Sequence, residues 1–106
     1  MIENKKKLPD WLRLCASLAL LGEIYPNIRM VALKLVNKTL ILRYYLDREP
    51  TEYDFDSIEV VEMEISSLTT RDEILHSNVE CLYSNLPIGK LDYLDGAIYA
   101  RREYNN

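Results

Sequence analysis

A chain of 106 residues has room for one hydrophobic core, because two cores of half that length would each need disulfides or metals to hold them. Its 48% hydrophobic and 28% charged residues are those of an ordinary globular protein, which excludes a wholly disordered chain. The net charge of −4 argues against non-specific binding to nucleic acid. Residues 1–106 therefore read as a single domain, with residues 1–7 and 104–106 expected to be flexible.

The N-terminus superficially resembles an export signal, since Lys5, Lys6 and Lys7 precede a leucine-rich stretch. Pro9, Asp10 and Arg13 interrupt that stretch, and Glu23 stands where a cleavage region belongs. No run approaches the roughly 18 uninterrupted apolar residues of a membrane span. The expectation is a cytoplasmic protein without membrane contact. The first element is a helix from Pro9 to Tyr25, opened by Pro9 and Asp10 and closed by Gly22 and Pro26. Trp11, Leu14, Cys15, Leu18, Leu21 and Ile24 recur at spacings of three and four and are assigned to its buried face.

Ile28 to Leu46 reads as a β-hairpin turning at Asn37-Lys38. That register sets Leu35 against Leu40, Leu33 against Leu42 and Val31 against Tyr44 on one face. Met30 with Tyr45, Ala32 with Arg43 and Lys34 with Ile41 take the other. A second helix is predicted over Thr51 to Leu68, with Thr51 and Asp54 in capping-box spacing behind Pro50. Val79 to Ser84 and Ala97 to Glu103 read as two further strands, joined by a loop carrying Pro87, Gly89 and Gly96. The expected class is α+β in the order α-β-β-α-β-β. A mainly antiparallel four-stranded sheet with both helices on one face would bury this pattern.

The inventory for catalysis is thin. His76 is the single histidine, and Gly22, Gly89 and Gly96 form no phosphate-binding loop. Cys15 and Cys81 lack metal-site spacing and lie in apolar surroundings, so both read as buried free thiols, with a single disulfide as the alternative, rather than as nucleophiles for His76. No cofactor, no metal and no enzymatic activity are expected.

Function points instead to charge. Between Asp47 and Glu64 stand eight acids and one base, Arg48, so the segment carries 1 − 8 = −7 and the rest of the chain sums to +3. On a helix, Ile58, Val61, Ile65 and Leu68 share a core face, with Phe55 at its margin. Glu52, Asp56 and Glu59 form a stripe opposite, joined by Met63 and flanked by Val60. Their like-charge spacings each disfavour the free helix by about 0.2–0.5 kcal/mol. Such a stripe is either a solvated face or a surface for a basic partner, with Asp47, Glu49, Glu52, Asp56, Glu59, Val60, Glu62 and Met63 as the candidate contact residues. Eight tyrosines beside one Phe and one Trp suit either half-buried sheet faces or an interface.

In size, acidity and several segments the chain resembles the immunity proteins that accompany bacterial contact-dependent growth-inhibition or colicin-type toxins. The segments are Leu21-Gly22-Glu23-Ile24-Tyr25-Pro26, Ile28-Arg29, the acidic stretch from Tyr44 to Tyr53, and Ile98-Tyr99-Ala100-Arg101-Arg102-Glu103. The resemblance implies a cytosolic protein that binds one cognate toxin tightly and blocks its active site, with no catalytic residue of its own. The expected partner is the toxin's C-terminal domain, with the chain a monomer and no nucleic-acid partner. A basic nuclease is the toxin class that an acidic inhibitor fits best. Two other readings stay open here: a type III secretion chaperone for an effector segment, and a nucleic-acid-binding regulator using Lys5 to Lys7, Arg101 and Arg102.

Overall fold

The computed structural model describes residues 7–103. The ends at 1–6 and 104–106, with Lys5 and Lys6, lie outside them. The order is α1 (Asp10–Ala19), β1 (Ile28–Val36), β2 (Thr39–Leu46), α2 (Glu52–Ser67), β3 (His76–Tyr83), a 3-10 turn (Ile88–Lys90) and β4 (Gly96–Ala100). This is the α-β-β-α-β-β sequence of elements expected.

The hairpin forms in the predicted register, from Leu35 opposite Leu40 to Met30 opposite Tyr45. Asn37 and Lys38 both take positive φ, 49° and 62°, the twist that a two-residue hairpin turn requires. Strand order is β3-β2-β1-β4. β1 is antiparallel to both β2 and β4, whereas β3 runs parallel to β2. The sheet is therefore mixed, because α2 carries the chain back across the sheet between β2 and β3, a crossover that returns parallel. β3 begins at His76, earlier than Val79, and β4 ends at Ala100, short of Glu103.

Both helices cover one face. Leu12 and Ala16 of α1 and Ile58, Val61 and Ile65 of α2 pack with Val31, Leu33, Leu40, Leu42 and Tyr44 into one core. The other face is not open to water: Met30, Ala32 and Tyr45 pack beneath Leu91, with Ile88 and Leu94 beside it. Cys81 is a buried free thiol, as expected, and burial pushes it up to about 12. Cys15 is only half-buried, its Sγ 3.8 Å from the Leu68 carbonyl oxygen.

Two faces depart from expectation. In α1 the buried residues are Leu12, Ala16 and Ala19, while Leu14 and Leu18, with Leu21 in the turn after it, face solvent. The alanines allow the helix to lie close to its neighbours, so the narrow side faces inward and the bulky leucines face out. The helix also stops early. Leu20 caps it, and the chain turns through Gly22, whose φ of 78° disfavours residues with a side chain. In α2 the trio Ile58, Val61 and Ile65 is fully buried, but Leu68 and Phe55 are exposed.

Candidate functional site

The start of α2 is built around Asp54. Its carboxylate accepts the Thr51 backbone N–H at 2.7 Å and the Thr51 hydroxyl at 3.1 Å, the reverse arm of a capping box. Arg48 donates to it at 2.6 and 3.2 Å, and the Tyr25 hydroxyl donates to the same group. Burial alone would raise this carboxyl. The donors from Arg48, Tyr25 and Thr51 outweigh burial and hold it at about 2.

That arrangement decides the electrostatics outside. Arg48, the one base of the acidic segment, is turned inward onto Asp54. Glu52, Asp56 and Glu59 are exposed, and among the described residues no base pairs with them. Met63, 65% exposed, and Val60 stand among these carboxylates. The structure thus brings Glu52, Asp56, Glu59, Val60 and Met63 together on the outward side of α2.

The remaining candidates are placed differently. Glu62 is half-buried and accepts the Ser66 hydroxyl at 3.0 Å. With Glu59 and Met63 it borders a groove of about 340 Å³ against Ser77 and Val79 of β3. Glu49 is exposed on the connection before α2. Asp47 is held inside the molecule's own network, accepting from Arg101 at 2.7 Å and from Asn27 at 3.0 Å. Those two bonds lower its carboxyl. The same Arg101 donates to the Pro26 carbonyl at 2.7 Å and pairs with Glu103 at 2.9 Å. Glu103 in turn grips the buried Arg29 through two bonds of 2.7 and 2.8 Å. Arg101 therefore ties the strand ends together.

Sequence reasoning did not single out Tyr25 and Tyr53. Their rings meet edge-on at 5.1 Å, and Tyr25 also meets the buried Tyr44 at 6.5 Å. This ladder runs from the surface to the core and walls a cleft of about 260 Å³ that also carries Glu23, Asp56, Ser57 and Val60. The excess of tyrosine was the one available signal.

A small α+β domain with a charged, partly apolar helical face and its polar networks turned inward has the form of a binding protein. The family model described as MafI2 immunity protein matches residues 9–103, and the chain belongs to that family. It is a bacterial toxin immunity protein, and its partner is a toxin. Maf toxins are a related but different system from contact-dependent growth inhibition. No curated protein matches the chain in sequence. No helix among the described residues is long and apolar enough to cross a membrane.

Proposed function

We propose that the chain neutralises a basic, nuclease-type toxin in the cytoplasm, as a monomer that binds the toxin's C-terminal domain through the outward face of α2 and performs no catalysis of its own. The observation that carries this reading is the row Glu52, Asp56 and Glu59, which no base among the described residues pairs, while Arg48 pairs with Asp54. A nuclease must present positive charge to phosphates. An inhibitor with unpaired carboxylates around a small apolar centre meets such a surface quickly and then holds it.

The test is the kinetics of binding to the cognate toxin, at two salt concentrations. Glu52→Lys with Glu59→Lys leaves the free protein as stable as wild type or slightly more so, because like-charge pairs are relieved. Association slows by about tenfold or more and loses most of its salt dependence. Rates and salt dependence equal to those of wild type would refute the acidic-surface reading.

A further inference from the structure

A second apolar surface among the described residues is the outward face of α1 with the turn that follows it. Leu14, Leu18 and Leu21 are 61%, 48% and 73% exposed, and the chain from Leu14 to Gly22 holds no charged residue. A monomer leaves few contiguous apolar patches in water, and those it leaves commonly mark contacts. This ridge runs out between two clefts separated by Ile24. The one toward α2 is the tyrosine-walled cleft bearing Glu23 and Asp56. The one toward β4 is lined mostly by apolar side chains, Leu20, Leu21, Ile98 and Tyr99 among them, and encloses about 210 Å³. At these volumes each holds a protein side chain better than a drug-sized ligand.

Charge decides between the possible occupants. α2 packs directly beside α1 and holds six acids and no Lys or Arg. A second copy seated on the ridge would bring two such helices toward one interface, where like charges oppose association. A basic partner meets no such penalty. We infer that the α1 ridge is the apolar seat of the toxin, which sets apolar side chains on Leu14, Leu18 and Leu21 and inserts a lysine or arginine into the tyrosine-walled cleft. There Asp56 and Glu23 offer carboxylates and Tyr53 an aromatic ring. The partner's charge is taken from the acidic-surface reading, so the experiment separates the two.

The full chain is first sedimented alone at micromolar concentration, where a monomer is expected. A dimer that Leu18→Ser dissociates would give the ridge to a second copy and overturn the inference. Titration with the cognate toxin follows, using variants whose thermal unfolding matches wild type. Leu18→Ser with Leu21→Ser weakens binding by about 30-fold or more, chiefly through faster dissociation. Asp56→Asn weakens it by about tenfold, and that loss shrinks as salt is raised. Leu86→Ser, at an equally exposed leucine on the loop after β3, leaves binding unchanged. If the double leucine variant binds within about threefold of wild type while Glu52→Lys with Glu59→Lys does not, the ridge is refuted and the acidic face stands. If the leucine variant fails and the charge variant binds normally, the ridge is supported and the acidic-surface reading falls.

Discussion

Asp54 differs from the acids around it in what its carboxylate touches. Its spacing from Thr51 is visible in the chain, so its capping role was legible. Tyr25, 29 residues away, was not, because nothing local announces a long-range hydrogen bond. The same is true of Arg29 and Glu103, which lie 74 residues apart and are joined only by the fold. The pH consequence follows from the depressed value of about 2. An unfolded aspartate titrates near about 3.9, so the folded form binds its proton less tightly. The stability this contributes is complete above about pH 5 and is lost as pH falls through 3.9 toward 2. Asp47 and Glu103, lowered by their arginine partners, add loss of the same sign. Asp54→Asn is expected to destabilise by about 2–4 kcal/mol at pH 7, since it weakens the Arg48 pair and the cap. It should also flatten the decline between pH 5 and pH 2. Urea unfolding at pH 7, 4 and 3 reads both effects. A wild-type stability that does not change over that interval would contradict the assignment.

At the scale of elements, legibility tracked how much a local pattern constrains the face. The hairpin was readable to the residue because alternation and a two-residue turn leave one register that buries Val31, Leu33, Leu40, Leu42 and Tyr44 on one side, with Leu35 half-buried beside them. The direction of β3 was not readable, since an apolar strand reads alike in either sense and the crossover through α2 decides it. α1 misled because it carries two apolar stripes. Bulk favoured Leu14, Leu18 and Leu21 for the core, whereas close packing selected Leu12, Ala16 and Ala19. Gly96 of β4 lies close to the start of the helix, where a Cβ would stand 3.0 Å from side-chain atoms of Leu8 and Arg13. Leu12, Leu33 and Leu42 are fully buried, so replacing each by alanine should destabilise by about 2–5 kcal/mol. Leu14→Ser should stay within about 0.5 kcal/mol of wild type. Chemical denaturation of the four variants decides it, and equal losses at Leu12 and Leu14 would mean that α1 has been placed the wrong way round.

For the whole molecule, the polar inventory divides by location. The inward networks, Arg48 with Asp54 and Arg29 with Glu103 and Arg101, tie helix start and strand ends to the sheet. The outward helical layer carries exposed leucines, and among the described residues no base pairs with its Glu52, Asp56 and Glu59. The acidic half of that layer was legible from charge spacing on α2. The apolar half was not, because the leucines that compose it were assigned to the core. The central claim, that the toxin sits on this layer, is tested most directly by hydroxyl-radical footprinting of the chain alone and in complex with its cognate toxin. Met63 and Tyr53, 65% and 62% exposed when free, are predicted to lose most of their reactivity in the complex together with Leu18 and Leu21. Tyr93 and Leu86, on the segment between β3 and β4, are predicted to keep theirs. Protection of Tyr93 and Leu86, with Met63, Tyr53 and Leu21 as reactive as in the free protein, would contradict the account.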